Sequence, residues 1–300
     1  MPMRVGLIGA GAVGAVIAQK IQKTSDFFLI VDENRRSAYE EEGIIINGER
    51  VDFEVRSPKD PVPCDLLIYA VKNYQMEDAI KESAGFVKEG TILFSLLNGV
   101  VSETLLEKAF PEAEVLYAFI TGISSNKEDN RISCFRDGTI YFGDKTNRET
   151  EAVKTMCSLF EKSGLVYSVP SDIHHDQWWK FMLNTCYNTL SAILLTPYSK
   201  IYDNDAFIRA SRMVCAEVLR VASAERVNLD QEDVTRVVAQ MRRLTDDGKT
   251  SMLQDMEAGR RTENDYFAGT VINLGQKHGI PTPVCSFLYQ ILEAASYARA

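Results

Sequence analysis

The chain has no apolar run of about 18 residues, the length that a membrane-spanning helix needs. No membrane partner is therefore expected. Nor is there any surplus of positive charge: 33 Lys and Arg face 42 Asp and Glu, leaving a net charge of −9. No global positive field exists to hold nucleic acid or an anionic membrane, although a local basic pocket is still allowed. The six cysteines (64, 134, 157, 186, 215 and 285) include no Cys-x-x-Cys pair and have no histidine at ligand spacing. That pattern argues against a zinc centre, any other metal site or a disulfide framework, and for reduced thiols in a cytoplasmic protein. The three histidines carry no partner pattern; His174 and His175 read as surface residues at a helix start, and His278 as a helix-end residue. The first residues place one Arg before an apolar run that soon breaks into glycines, so they do not read as a signal peptide.

What is present is ordinary globular composition, 45% hydrophobic and 25% charged over 300 residues. At about 150 residues per domain, two domains are expected. Short apolar runs at Arg4–Ile8, Phe27–Asp32, Leu66–Val71 and Thr91–Leu96 alternate with helical stretches at Val13–Gln22 and Met76–Phe86. Apolar strands separated by crossover helices indicate a parallel sheet covered on both faces. A hairpin is expected around Gly43–Gly48, and a turn at Asn98–Gly99. From Val115 to Gly143 the pattern alternates, which predicts antiparallel strands finishing the same sheet, with Asp137–Gly138 as their hairpin turn. A helix is expected over Glu151–Ser163. Beyond Ser168–Asp172, where Ser171 or Asp172 can cap the next helix, strand signals nearly vanish. The reading is an α/β fold: a Rossmann-type doubly wound domain over 1–168, then an all-helical substrate and catalytic domain over 169–300.

Gly9-Ala10-Gly11-Ala12-Val13-Gly14 comes directly after the first strand and opens a helix. The first Gly permits the tight turn, the second lets backbone N–H groups approach a pyrophosphate, and the third lets helix and strand pack closely. A glycine-rich turn without function has the same bare pattern. Context decides here, because an acidic residue, Asp32, ends the next strand 18 residues after Gly14. A carboxylate there accepts from the adenosine ribose hydroxyls and repels a 2′-phosphate, which favours NADH. Arg35 and Arg36 lie within reach and can hold that phosphate in spite of Asp32.

In Gln177–Leu195, Lys180, Asn184 and Asn188 recur at i, i+4 and i+8 and so share one helical face, amid Trp, Phe, Leu and Met. One Lys with two Asn and no acidic residue on the same stripe looks like the wall of a cleft; a polar stripe solvating a surface helix gives the same spacing. A second polar block, Ser251 to Glu263, taken alone is an amphipathic helix start in which Glu263 would be a surface residue.

Together these pieces resemble the ketopantoate (2-dehydropantoate) 2-reductase family. The resemblance spans the whole chain: Gly9–Gly14, Val71-Lys72-Asn73-Tyr74-Gln75, Asn98-Gly99-Val100 with Glu103, Lys180–Asn184–Asn188, and Ser251-Met252-Leu253-Gln254-Asp255 leading to Thr262-Glu263. It implies a Rossmann domain and a helical domain with the active site in the cleft between them. The implied reaction is hydride transfer from NADPH or NADH to the C2 ketone of ketopantoate, giving pantoate for pantothenate synthesis. By position, Gly9, Ala10, Gly11, Ala12, Val13, Gly14, Asp32, Lys72 and Asn98 would bind the cofactor. Lys180 would be the general acid and Glu263 its carboxylate partner. Asn98, Asn184, Asn188 and Ser251 would hold the substrate.

Two positions depart from the pattern. Asp32 stands where NADPH-preferring members usually carry Arg, and Tyr198 stands where a further substrate-binding Asn is common. The alternatives are another 2-oxo acid reductase of the β-hydroxyacid or opine dehydrogenase type and a non-catalytic dinucleotide sensor. The sensor would predict loss of the proton donor, yet Lys180 and Glu263 are both present. A small 2-oxo acid is the expected partner, and a homodimer is left open.

Overall fold

The structure is a computed structural model that describes residues 2–244 and 246–298. Two compact units divide between Ile173 and His174. In the first, β1 (Arg4–Ile8) runs into α1 (Ala12–Ile21), and β2 (Asp26–Ile30) into α2 (Glu33–Glu42). A hairpin of β3 (Ile44–Ile46) and β4 (Glu49–Val51) and the short β5 (Val55–Arg56) come after them. Next, β6 (Leu66–Tyr69) leads to α3 (Met76–Ser83), and β7 (Ile92–Ser95) to α4 (Ser102–Ala109). The unit closes with β8 (Glu114–Glu128), β9 (Arg131–Gly143), α5 (Glu151–Ser163) and β10 (Tyr167–Ser168).

The strand order is β4-β3-β9-β8-β7-β6-β1-β2-β5, with β10 beside β9. From β5 through β7 every pairing is parallel, and the start of β8 continues it in register, Ile92 beside Glu114. Alternation along the strands feeds two cores. Val5, Leu7, Leu66, Ile68 and Phe94 pack on α1 and α5, whereas Ile8, Leu67, Tyr69 and Leu93 pack with Met76 and Leu106 on the opposite face. Phe94, Phe142 and Phe160 meet edge to face, with centroids 5.4 to 5.7 Å apart. Chain order reverses across β1, with β2 on one side and β6 on the other. A doubly wound sheet opens its ligand crevice at such a reversal, outside the carboxyl ends of the strands.

The expected turn at Asp137–Gly138 is corrected. Asp129 and Asn130 make the turn, Asp129 at φ +53°, while Asp137–Gly138 lies inside β9. Gly138 (φ +78°) and Gly122 (φ +69°) fall between the paired residues Thr121–Thr139 and Ile123–Asp137, and a Cβ on Gly138 would come within 2.6 Å of Thr121 O. The glycine serves a kink within the pair rather than its end, a use with the same local sequence signature. The expected antiparallel finish is only partly met: β8 is parallel to β7 and antiparallel to β9, whereas β9 is parallel to both β3 and β10. The helix expected over Met76–Phe86 changes at Ala84 to a 3₁₀ turn.

Helix α6 (Ile173–Leu194) starts on the last residue of the first unit, where Ile173 N–H donates to Asn147 Oδ1 at 3.0 Å, and continues as the first helix of the second unit. After it come α7 (Asp205–Ala224), α8 (Gln231–Met241), α9 (Ser251–Glu257), α10 (Ala268–His278) and α11 (Pro283–Tyr297). Asn204, Asp230 and Thr250 cap α7, α8 and α9 from adjacent sequence. Helix α11 is served from a distance instead. Glu217 of α7, 2% exposed, accepts from Val284 and Cys285 N–H at 2.9 and 2.8 Å. Its charge also complements the helix dipole there.

His175 is not the partnerless surface residue that the sequence suggested. Its ring bridges Asp176 Oδ1 and the buried Asp233 Oδ2, each at 3.0 Å, tying α6 to α8. Burial opposes its charge, but the Asp176 hydrogen bond and the Asp233 charge outweigh that and raise its pKa above the usual histidine value. His278 ends α10 as expected and contacts Glu225 Oε1 at 2.5 Å.

Candidate active site

Every site residue expected on the first unit lies just past the carboxyl end of a parallel strand. The loop Gly9–Gly14 succeeds β1, Asp32 succeeds β2, Lys72 succeeds β6 and Asn98 succeeds β7. The three glycines are needed for different reasons. Gly9 has φ +106°, and a Cβ on it would lie 2.5 Å from the backbone of Ala70 and Val71. A Cβ on Gly14 would sit 2.1 Å from Gly9 O. Both are demanded by the protein's own packing. At Gly11 a Cβ would meet nothing nearer than Ala70 O at 3.9 Å, so the glycine keeps clear a space that the chain does not fill. Gly11 is also the N-cap of α1 and offers no side chain to its first N–H groups. Open space over uncapped helix N–H groups is what a pyrophosphate requires, and the loop fits one.

Asp32 has a local task as the N-cap of α2, its Oδ1 accepting from Asn34 N at 2.7 Å. Lys72 precedes a 3₁₀ turn and donates its backbone N–H to Gln75 Oε1. Asn73, given no role from sequence, is 3% exposed and donates from Nδ2 to Asn98 O at 2.9 Å, locking the loops after β6 and β7 together. A second contact was invisible to motif reading: Lys127 of β8 donates from Nζ to Ala10 O at 2.7 Å, across 117 positions of sequence.

In the second unit Lys180, Asn184 and Asn188 share one face of α6, partly buried at Lys180 and Asn184 and 4% exposed at Asn188. Desolvation lowers the Lys180 ammonium to about 8, with the Glu263 carboxylate acting against that shift. Glu263 precedes the 3₁₀ turn Asn264–Tyr266 and is 4% exposed, so it is not the surface residue its local sequence implied. The fold thus brings Lys180 within the field of a buried carboxylate 83 positions away.

Asn188 and Ser251 also meet, but the first task of their contact is structural. Asn188 Oδ1 accepts from Ser251 Oγ and from Met252 N, both at 3.1 Å. The backbone donor fixes the orientation of the amide, which must turn oxygen toward α9. Asn188 is therefore a second cap for α9, beside Thr250, whose Oγ1 accepts from Leu253 N. Asn188→Ala is expected to lower stability by about 1–2 kcal/mol, because a buried helix-terminal N–H loses its acceptor. Asn188→Asp keeps the acceptor and should lose less. Urea unfolding midpoints decide, and an Asn188→Ala midpoint equal to the wild type would remove the capping role.

A doubly wound sheet with a glycine loop at its reversal, joined to an all-helical unit with a desolvated lysine, is the architecture of a two-domain Rossmann-type oxidoreductase. The family described as ketopantoate reductase PanE/ApbA matches residues 5–147, and its C-terminal counterpart matches 172–296. This chain belongs to the ketopantoate reductase PanE/ApbA family. The 2-dehydropantoate 2-reductase of Archaeoglobus fulgidus is 26% identical over 282 residues, 94% of each chain. That of Lactococcus lactis is 26% identical, with 97% of each chain covered. Among solved structures, D-mandelate dehydrogenase in ternary complex with NADH and anilino(oxo)acetate has a TM-score of 0.87 at 24% identity, covering 99% of both chains. A PanE/ApbA family ketopantoate reductase from Ralstonia eutropha has a TM-score of 0.85 at 23% identity, again covering 99% of both. These two likenesses establish the shared fold.

Proposed function

We propose that this chain is a 2-dehydropantoate 2-reductase, converting 2-dehydropantoate to (R)-pantoate in pantothenate synthesis. The first unit would bind the dinucleotide, NADPH or NADH, through Gly9–Gly14, Asp32, Lys72 and Asn98. Substrate would be held through Asn98, Asn184, Asn188 and Ser251. A bound reduced nicotinamide supplies the hydride. The observation that carries the reading is the desolvated Lys180, lowered to about 8 and in the field of buried Glu263.

A lysine in that state is a proton donor poised near neutral pH. Lys180 Nζ holds its proton at pH 7 and gives it to the oxygen of the substrate ketone as negative charge develops there. The ammonium also stabilises that charge, more strongly in a desolvated site than in water. Glu263 keeps Lys180 protonated against the cost of burial. With Asn188 Oδ1 committed to α9, its Nδ2 is the group left to donate to a substrate carboxylate or hydroxyl.

The test is loss of reduced-nicotinamide absorbance with a panel of 2-oxo acids, each assayed with NADPH and with NADH. Turnover confined to ketopantoate supports the proposal. A second reading, reduction of another 2-oxo acid, is favoured by Tyr198 at the position where the family commonly carries Asn, and by the shared fold of D-mandelate dehydrogenase, solved with NADH and an oxo-acid ligand. It predicts turnover of a different panel member with ketopantoate inert. Dinucleotide binding without any turnover would favour the sensor and overturn both.

A further inference from the structure

Glu263 sits on a stretch that no helix of its own secures. It falls between α9 and α10, and the backbone after it is a single 3₁₀ turn, closed by Tyr266 N–H on Glu263 O at 2.9 Å. Ahead of it, Arg260 is held to the end of α9, its Nε on Asp255 Oδ1 at 2.9 Å. Behind it, the turn is held by α11. Asn264, 1% exposed, donates from Nδ2 to Tyr289 O at 3.1 Å and to Glu293 Oε1 at 2.8 Å. The Tyr289 hydroxyl donates in turn to Asp265 Oδ1 at 2.6 Å. Tyr289 and Glu293 are four residues apart and so lie on one side of α11, to which both residues after Glu263 are tied.

Asn264 is a costly side chain for that place. Its two acceptors fix the amide with nitrogen toward α11, and Oδ1 is then buried without a hydrogen-bond partner among the described residues. An unsatisfied buried oxygen is destabilising, and a branched apolar side chain of similar outline would avoid it. Stability therefore does not account for the residue, whereas the two directed bonds do. They fix the backbone next to a carboxylate that is itself buried, where the effect of a charge depends steeply on where it stands. A local rule broken without gain in stability is what a functional site shows.

We infer that Asn264 is a positioning residue for the reduction: clamped to Tyr289 and Glu293 of α11, it sets the placement of Glu263 and through it the proton donor. The inference rests on the roles proposed above for Lys180 and Glu263, and adds two residues, Asn264 and Glu293, that no motif singles out. Their action is indirect, through the backbone of the turn.

The experiment measures kcat, KM and the pH profile at saturating dinucleotide, with ketopantoate or the panel member that turns over, together with the melting temperature. Asn264→Leu should melt no lower than wild type and lose roughly ten- to a hundredfold in kcat, the scale of a small misplacement of a catalytic group. KM should change little, and the alkaline limb should move toward that of Glu263→Gln. Glu293→Ala, on the exposed side of α11, should show the same changes in weaker form. Glu293→Gln keeps an acceptor and should retain the wild-type profile. Added to Glu263→Gln, Asn264→Leu should cost little more, because no carboxylate is left to place. A lower melting temperature with the limb unmoved would make Asn264 a packing residue and overturn the inference. Wild-type kcat and limb in Asn264→Leu would overturn it too; if that variant does not fold, the same result in Glu293→Ala does so. Wild-type turnover by Glu263→Gln would instead remove the reading of Lys180 and Glu263, and the inference with it.

Discussion

Lys180→Ala is expected to lower kcat by about 10²–10⁴-fold, the usual contribution of a positioned general acid, with dinucleotide affinity little changed. The group must be protonated to act, so with a pKa of about 8 the wild-type rate should fall as pH rises through that value. Lys180→Arg should not restore activity, because a guanidinium does not release its proton. Glu263 raises the Lys180 pKa, so Glu263→Gln should move the alkaline limb of the profile to lower pH as well as lowering kcat/KM. A residue that only held substrate would alter KM and leave the limb in place. The double variant should lose less than the product of the two single losses, since residues acting as a unit are not additive. Near-normal turnover by Lys180→Ala would remove the mechanism and leave the fold and family standing.

The second large effect separates two glycines of one motif. In Gly14→Ala the new methyl would stand 2.1 Å from Gly9 O, a backbone atom that cannot rotate aside. Overpacking of that kind costs about 1–3 kcal/mol or more, so the melting temperature should fall and dinucleotide binding should go with it. Gly11 has extended backbone, φ −74° and ψ −172°, which valine adopts readily, and no neighbour nearer than 3.9 Å. Gly11→Val should therefore melt like wild type yet bind the dinucleotide far more weakly, because its side chain fills the space over the N–H groups of α1. Calorimetry and cofactor titration on both variants separate the cases. Gly11→Val with wild-type affinity would dismiss the loop as a phosphate site.

Much of this was legible from the chain because the signals are local. A strand, the three glycines of the loop and a helix start lie within eleven residues, Arg4 to Gly14, and β1 and α5 have the bounds the sequence predicts. The i, i+4, i+8 spacing is enough to put Lys180, Asn184 and Asn188 on one helical face. Local signals misled where one residue type serves two purposes. Asp137–Gly138 reads as a turn because Gly tolerates positive φ, yet Gly138 uses that freedom inside a strand.

The sequence by itself determined the two-part organisation, the parallel sheet, the glycine loop and the family, all of which depend on neighbours in the chain or on residue types at fixed spacing. Tertiary structure alone decided which distant groups share an environment. Glu263 became a buried carboxylate acting on Lys180, Asn188 a cap for α9, Glu217 a cap for α11, His175 a bridge to Asp233, and Lys127 a cation over the glycine loop. The physical reason is that pKa, desolvation and hydrogen-bond satisfaction depend on what lies within a few ångströms. For these residues those neighbours are 58 to 117 positions away, brought near only by helix packing and strand pairing.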